Sequence, residues 1–581
     1  MTTTANTTTA ERLLECLVSA GIDYVFANLG TDHVPIIEAL AKRRLHGKHS
    51  PEFILCPHEN IAVHMALGYA SATGKGQAVM VHVDAGTANA AMGIHNAART
   101  RVPVLLMAGK SPFAVQGELP GGRDNYVHFV QDPFDIGSLV RPYVKWEYVL
   151  MSDCNIGEVT RRAHSVMHTE PCGPAYLVMP REVLAAPATN PDKPFGAAQY
   201  GTTQMGGLSA SQIENISKRL FESTDPVLVS SYLGRNPLAP PVLEQFCDCF
   251  GVRVVEANPT HLNIARDCVW ASGFDASKLI GQADTVVLLD TDVPWLPKFA
   301  KPRPDATCIQ MDVDASKSSF PMWGFGAEVR IQTDSFEALT ALIRYAKTHA
   351  TEDFLRTVQS RKQAIEKQKS EASAATGGLL SQAKESASSG ATGVVLKPIL
   401  QALNKLLSVQ DIVVNEAIRN APVVLGELTR TEPGTYFSNA GGGLGASSGW
   451  ALGLKLAHPE RRVVQIVGDG SFHFCTPTSF YAVSRNRRLP ILTIVLNNGG
   501  WQAVKEAVLR MYPEGDAFDA NKFQANLDSN NTRFSLIAEA FGAKGLEISS
   551  MRQVDAVLKE ALAVLDAGTS VLIDLKLPPI E

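Results

Sequence analysis

Short runs of β-branched and aliphatic residues recur along this chain with helical patterns between them, and that alternation restricts the fold more than any other feature. The first set is Tyr24-Val25-Phe26, Phe53-Ile54-Leu55, Val79 to Val83, Val104 to Met107 and Tyr176 to Met179. A second follows the same rhythm at Pro226 to Val229, Val252 to Val255, Thr285 to Leu289 and Ile309 to Met311, and a third at Asp411 to Val414, Val463 to Val467 and Ile491 to Leu496. Strands separated by helices build parallel sheets covered on both faces. A chain of 581 residues also exceeds what one hydrophobic core can organise. The expectation is an α/β protein of three doubly wound parallel-sheet domains, at residues 1–188, 189–365 and 395–581. Residues 366–394 are rich in Lys, Ser, Ala, Gln and Gly with little apolar periodicity, and read as an interdomain linker. No internal repeat is visible.

Composition removes several functional classes. A net charge of −5, with no basic stripe interleaved with aromatics, carries no electrostatic footprint for nucleic acid. No apolar run is long enough for a bilayer, and Met1 to Asn6 has neither a basic nor an apolar leader region. The nine cysteines are scattered, and Cys247 and Cys249 lack the two-residue spacer of zinc or redox pairs. The expectation is a cytoplasmic protein with reduced thiols, organelle import remaining open, that acts on small molecules and has no nucleic-acid or membrane partner.

Two motifs carry the chemistry. The run Val463 to Val467 ends in Gly468-Asp469-Gly470-Ser471, and Ile491 to Leu496 ends in Asn497-Asn498, with 26 residues (471–496) between Gly470 and Asn497. Both therefore fall at carboxyl ends of strands, where open α/β sheets place their ligands. Asp469 offers a hard carboxylate oxygen, Asn498 an amide oxygen and Gly500 a backbone carbonyl. With phosphate oxygens and water, these could complete an octahedral magnesium shell at about 2.1 Å. The flanking glycines let backbone amides approach a phosphate. Taken singly, GDG reads as a turn and NN as a strand terminator; together, on two strands, they read as a site.

With these motifs in place, the chain resembles the thiamine diphosphate family that includes acetolactate synthase, pyruvate decarboxylase and benzoylformate decarboxylase, over nearly its whole length. Arg141 to Trp146 and Ala440 to Gly445 read like benzoylformate decarboxylase. The resemblance implies a pyrimidine-binding first domain, a middle domain and a diphosphate-binding last domain. Glu59, in Cys56-Pro57-His58-Glu59-Asn60, matches the activating glutamate, whose hydrogen bond to the pyrimidine lets the cofactor's amino group take the thiazolium proton. By itself, a glutamate there is equally explained by the dipole of a helix start. An HExxH metalloprotease reading fails because Ala62 stands where the second histidine belongs.

Further correspondences follow from the same resemblance. Leu444 matches the apolar wedge under the thiazolium, Gly442 the residue whose carbonyl receives the amino group, and Gly470, Ser471 and Trp501 other cofactor contacts. In Asn415 to Asn420, which parallels a diphosphate loop carrying serines and threonines, Ile418 cannot donate, whereas Arg419 could grip a phosphate or stand solvated.

On the substrate side, His82 falls on an active-site histidine of benzoylformate decarboxylase, although a buried strand histidine is the alternative. Thr31 matches a carboxylate-binding serine, His33 could reach the same cavity, and Gln131 resembles a glutamine near the thiazolium in the acetolactate synthase branch. Departures matter here. The middle segment Thr291 to Lys298 lacks the second catalytic histidine of benzoylformate decarboxylase, and Val504 stands where pyruvate decarboxylase has a glutamate. An apolar residue there favours an acyl anion equivalent that survives to attack a second carbonyl.

The resulting expectation is a thiamine diphosphate- and Mg²⁺-dependent carboligase of the acetolactate synthase-like type, joining a 2-oxo acid-derived acyl unit to a carbonyl acceptor. Plain 2-oxo acid decarboxylation, or cleavage of 2-hydroxyketones or 2-hydroxyacyl-CoA, is the alternative. No flavin-contact sequence is recognisable between residues 190 and 340, so no FAD is expected. The family habit implies a homodimer or homotetramer with Glu59 of one subunit facing Asp469 of another.

Overall fold

The structure, a computed structural model, describes residues 7–189, 201–387, 394–527 and 531–578. Met1 to Asn6 and the end of the expected linker, residues 388–393, lie outside the described residues. Among the described residues, seventeen strands form three sheets, and every pairing between these strands is parallel.

The first sheet holds β1 (Tyr24–Ala27), β2 (Glu52–Leu55), β3 (Gln77–Val81), β4 (Val104–Lys110), β5 (Trp146–Val149) and β6 (Ala175–Pro180), in the order β2-β1-β3-β4-β6-β5. The second holds β7 (Pro226–Ser230), β8 (Arg253–Glu256), β9 (Thr285–Leu289), β10 (Thr307–Asp312) and β11 (Val329–Gln332), in the order β11-β10-β9-β7-β8. The third holds β12 (Ile412–Glu416), β13 (Tyr436–Ser438), β14 (Val463–Gly468), β15 (Leu492–Asn497), β16 (Lys544–Ile548) and β17 (Val571–Lys576), in the order β13-β12-β14-β15-β17-β16.

The α/β class and the three parallel sheets are those the residue pattern implies. Central strands such as β3, β7, β9 and β15 are buried at every position, as sheets covered on both faces require, and each fully buried aliphatic side chain contributes about 1.5–3 kcal/mol. Strands β5, β11, β13, β16 and β17 were not singled out from the sequence. Four of them are edge strands, and their runs are short or mixed with polar residues.

The structure also contains a repeat that the sequence does not display. The first and third sheets share one strand order, so the outer units are topological copies. Their junction is a pair of helices, Glu59–Thr73 and Ala446–Ala457, packed against each other. Both are apolar almost all round, and Met65, Leu67, Trp450 and Leu454 have no exposed surface, the signature of helices covered on all sides.

The stretch expected as linker is helical as far as Ala387, within one helix from Glu352 to Ala387. Its Lys, Glu, Gln and Ala residues are strong helix formers even where no apolar stripe exists. Its first half is tied to the middle unit: Arg361 donates to the carbonyls of Phe250 and Ser223, and Lys369 to that of Cys268. Among the described residues no helix is long and apolar enough to cross a membrane.

Candidate active site

Strands β14 and β15 are neighbours, with Gly468 opposite Leu496, so the segments that follow them emerge side by side at the carboxyl edge of the third sheet. Asp469 opens the short helix Asp469–Phe474, is almost fully buried, and accepts from the Gly470 amide at 2.9 Å. The two asparagines separate in role. Asn497 is turned inward, donating to Asp574 at 3.0 Å and receiving the Leu577 amide on its carbonyl. Asn498 faces outward, with one amide atom 3.2 Å from Asp469 Oδ1 and 2.9 Å from the Gly500 carbonyl oxygen.

As the amide NH₂, that atom donates to both neighbours. Turned the other way, the amide would place its oxygen at these distances from the other two oxygens, close to the separation of adjacent ligands in an octahedron of about 2.1 Å radius, an arrangement a cation would make favourable. No group of three His, Cys, Asp or Glu side chains is placed to hold a metal among the described residues. A cation on this edge would therefore rest on one carboxylate, one amide and one carbonyl.

Beside these oxygens lies a cavity of about 340 Å³, lined by Leu444, Asp469, Gly470, Ser471, Asn498 and Gly500 and, toward its mouth, by Ile418, Arg419, Trp501 and Val504. Arg419 is held at the rim by Glu506, Nε to Oε1 2.7 Å. Gly442 does not line the cavity and is exposed; its amide meets His95 Nε2 at 3.4 Å. The loop carrying Leu444 is fixed from below by Glu416. This buried carboxylate, at the end of β12, accepts from the Gly445 and Ser447 amides at 2.6 and 2.9 Å and from the Ser447 hydroxyl at 2.5 Å. Burial pushes the Glu416 carboxyl above its usual range against those hydrogen bonds. Glu416 lay in a segment read for its phosphate donors, and its role as an anchor of a loop 29 residues away had no local signal.

The remaining sequence-derived residues gather at the carboxyl edge of the first sheet. Glu59 starts the helix Glu59–Thr73 behind an N-cap in which His58 accepts from the Asn60 amide. Its carboxylate is largely buried and accepts from Asn89 Nδ2 at 3.2 Å. The adjacent Asn60 crosses to the third unit, donating to the carbonyls of Gly445 and Phe474 at 3.1 and 3.0 Å.

Strand β3 ends at Val81, two residues earlier than the apolar run suggests, which makes His82 the N-cap residue of the helix Val83–Thr100 rather than a strand residue. Val83 then adopts a φ of +32°, a conformation a β-branched residue takes only when its surroundings impose it. His82 Nδ1 lies 2.6 Å from Asp32 Oδ1. That contact lifts the His82 pKa above the usual imidazole value against partial burial, with Gln131 and Asp84 adding to the effect. Burial works to raise Asp32, but the hydrogen bond from His82 and the charges of both neighbouring imidazoles hold its carboxyl below the ordinary range.

Thr31 is exposed at this edge, whereas His33 has no exposed surface and accepts from the Gly30 amide at 3.0 Å. Gln131 lines a second cavity, of about 300 Å³, with Val83, Lys110 and Arg141. Neither Glu59, His82 nor Gln131 lines the cavity of the third unit.

In the middle unit, chain order reverses between β7 and β9, the place where doubly wound sheets open a ligand crevice. Arg101 of the first unit fills it. Its guanidinium stacks 4.3 Å over Tyr232 and pairs with Asp292 at 2.7 Å and Asp314 at 2.8 Å, while the buried Lys317 pairs with Asp312 and Asp292. The histidine-free segment after β9 is thus part of an ionic joint between units.

Comparison with known proteins gives this geometry a family. Residues 7–139 match the thiamine pyrophosphate enzyme N-terminal TPP binding domain, and residues 421–575 the thiamine pyrophosphate enzyme C-terminal TPP binding domain. The chain belongs to the thiamine pyrophosphate enzymes. Thiamine pyrophosphate and thiamine diphosphate are one cofactor, and the matched segments carry the two edges described above. This thiamine diphosphate enzyme is 26% identical to benzoylformate decarboxylase of Pseudomonas aeruginosa, over 98% of each chain. It is 23% identical to the acetolactate synthase isozyme 3 large subunit of Escherichia coli, over 97% of this chain and 94% of that one. A thiamine diphosphate-dependent 4-hydroxybenzoylformate decarboxylase of Rhodococcus jostii RHA1 shares its fold with a TM-score of 0.78 at 19% identity, covering 99% of this chain and all of the other.

Proposed function

We propose that this enzyme decarboxylates a 2-oxo acid and joins the resulting acyl anion equivalent to a second carbonyl compound, with Mg²⁺ anchoring the diphosphate of its cofactor. The observation that carries the metal is that the Asn498 amide stands 3.2 Å from Asp469 Oδ1 and 2.9 Å from the Gly500 carbonyl oxygen at the wall of a cavity. Ser471 and Gly470, beside it, would hold phosphate oxygens, with Trp501 closing one side and Arg419 available if it releases Glu506. When bound, thiamine diphosphate supplies the electron sink that loss of carbon dioxide requires.

The chain's own groups divide the remaining tasks. Leu444, on the loop anchored by Glu416, would press on the cofactor from below, and Gly442 would offer its carbonyl to the amino group. Glu59, dry and oriented by Asn89, would hold the proton on the pyrimidine ring. His82 and Gln131 would face the reacting carbon, and Thr31 the substrate carboxylate. His33, fully buried, is better read as support for this edge than as a substrate contact.

Because Glu59 and His82 do not line the Asp469 cavity, a complete site is best supplied by two subunits, at least a homodimer. Large apolar side chains are exposed at both edges, Tyr126, Val130 and Phe134 on the first unit and Ile418, Met511 and Phe518 on the third, which favours their meeting across a subunit boundary. The proposed domains are 1–188, 189–365 and 395–581.

Carboligation is favoured over simple decarboxylation by Val504, whose half-exposed apolar side chain lines the cavity where a proton donor would quench the reaction. The middle unit is read as scaffold without FAD, since Arg101 and Lys317 occupy its crevice. A reducing, cytoplasmic setting fits cysteines that no disulfide joins among the described residues. The decisive experiment is a product screen by mass spectrometry with cofactor, Mg²⁺ and a panel of 2-oxo acids with and without carbonyl acceptors. Coupled products support the carboligase; aldehyde and carbon dioxide alone return the chain to the decarboxylase reading that its similarity to benzoylformate decarboxylase suggests.

A further inference from the structure

Asp32 carries a role that neither the motifs nor the family comparison assigns. It lies 50 residues from His82 in sequence, on the short helical turn Thr31–His33 after β1, yet its carboxylate meets the imidazole at hydrogen-bond distance. Two close approaches make this possible. A Cβ on Gly30 would stand 2.0 Å from His82 Nδ1, and one on Gly109, at the end of β4, 1.7 Å from Asp32 Oδ2. The pair is therefore built into backbone that any larger residue would displace.

The carboxylate sits between two histidines, and the hydrogen bonds decide which one it serves. The Gly30 amide donates to His33 Nδ1 at 3.0 Å, so that nitrogen is an acceptor and carries no proton. His33 Nδ1, 3.3 Å from Asp32 Oδ1, has nothing to give the carboxylate. The one imidazole proton available to Asp32 Oδ1 is therefore that on His82 Nδ1, 2.6 Å away. The second oxygen, Oδ2, is 3.4 Å from the Val83 amide, which fixes the carboxylate plane relative to the same turn.

We propose that Asp32 is the positioning residue of His82: it holds the Nδ1 proton and orients the ring so that Nε2 is the nitrogen presented to the reacting carbon. The proposal rests on the functional reading above. In the step itself, Nε2 takes a proton from a hydroxyl group or water at that carbon, Asp32 balances the imidazolium charge, and the same proton returns to the product. Other charged groups around the pair are few. Asp84 adds to His82 from its own helix, His128 feels the Asp32 charge, and Arg181 reaches the Thr31 carbonyl at 3.4 Å. Gln131 also hydrogen-bonds the imidazole, but the contact at Nδ1 is Asp32 Oδ1, and the Asp32 hydrogen bond is the largest influence on His82.

The test combines a titration with a mutant cycle on the full chain loaded with thiamine diphosphate and Mg²⁺. Histidine-selective labelling and NMR, with His82→Gln to assign the signal, should find His82 protonated on Nδ1 and titrating above an ordinary imidazole. In Asp32→Asn the midpoint should fall by about 1–3 pH units. Turnover should drop about a hundredfold and the acid limb of kcat/KM should move to lower pH. The double variant Asp32→Asn/His82→Ala should be no slower than His82→Ala alone. An unmoved midpoint, a uniform loss with an unchanged pH profile, or additive losses would overturn the proposal. Should Asp32→Asn fail to fold, a wild-type His82 that titrates at or below the ordinary value overturns it equally. The titration needs no turnover, so absence of activity on 2-oxo acids would count against the functional reading and leave this test standing.

Discussion

Asp469 and Asn498 face each other across the carboxyl ends of two adjacent parallel strands, 3.2 Å from carboxylate oxygen to the nearer amide atom, with the Gly500 carbonyl 2.9 Å beyond. The amide NH₂ satisfies both oxygens, and a bound cation would instead be served by the amide oxygen. Asp469→Ala removes the only charge of the three and should weaken Mg²⁺-dependent cofactor binding by about a hundredfold or more, with a smaller loss for Asn498→Ala. Calorimetric titration of thiamine diphosphate with and without a chelator measures both, and equal affinity in chelator would remove the metal from the reading.

Glu59→Gln keeps the size of the side chain and its contact with Asn89 but cannot exchange a proton with the cofactor ring. Product formation should fall by about 10²–10⁴-fold while cofactor affinity changes little. Steady-state rates beside binding titrations separate the two; unchanged rates would make Glu59 a helix-start residue only.

Asp290, at the end of β9, is fully buried beside Asp312, and burial with that like charge pushes its carboxyl up to about 7. An acid whose pKa is raised on folding stabilises the fold below its unfolded value near 3.8, and this contribution is lost as pH rises through about 7. Asp290→Asn, whose amide tolerates the positive φ of 46°, should remove that loss. Thermal melting of the variant relative to wild type should show a gain at pH 8 that disappears near pH 4. A difference constant across pH would contradict the assignment.

Arg101 joins the first and middle units through two carboxylates and an aromatic face. Arg101→Ala leaves Asp292 and Asp314 partly unmatched and should destabilise the chain by about 3–5 kcal/mol, the usual cost of removing one member of a buried charged set. Denaturant unfolding followed by fluorescence of Trp295 and Trp323, both in the middle unit, reports it; a shift below about 1 kcal/mol, the scale of an exposed pair, would show the joint to be superficial.

What could be read from the chain alone was whatever lies within one strand and its following turn. Gly468 to Ser471 and Asn497-Asn498 each sit at the end of a β-rich run, so their placement on one sheet edge followed from strand periodicity. Glu59 followed likewise from a strand-to-helix junction. The limits of each element were less legible: His82 looked like a strand residue because every other residue from Val79 to Val83 is apolar, and hydrogen bonding, not hydropathy, ends β3 at Val81. The lysine- and alanine-rich stretch after 366 looked like linker because it lacks an apolar face, yet its helix needs only propensity and a few anchors.

By itself, then, the sequence determined the fold class and the residues that stand at the carboxyl ends of β2, β14 and β15, because period and turn chemistry are local properties. Tertiary structure alone decided that Asp32 reaches His82, that Glu416 anchors the Leu444 loop, that Arg101 plugs the middle crevice, and that the outer units repeat one strand order. Each of these joins residues dozens or hundreds of positions apart. Such contacts leave no periodic trace, and they exist only once parallel sheets and their crossover helices have brought distant segments to a shared edge.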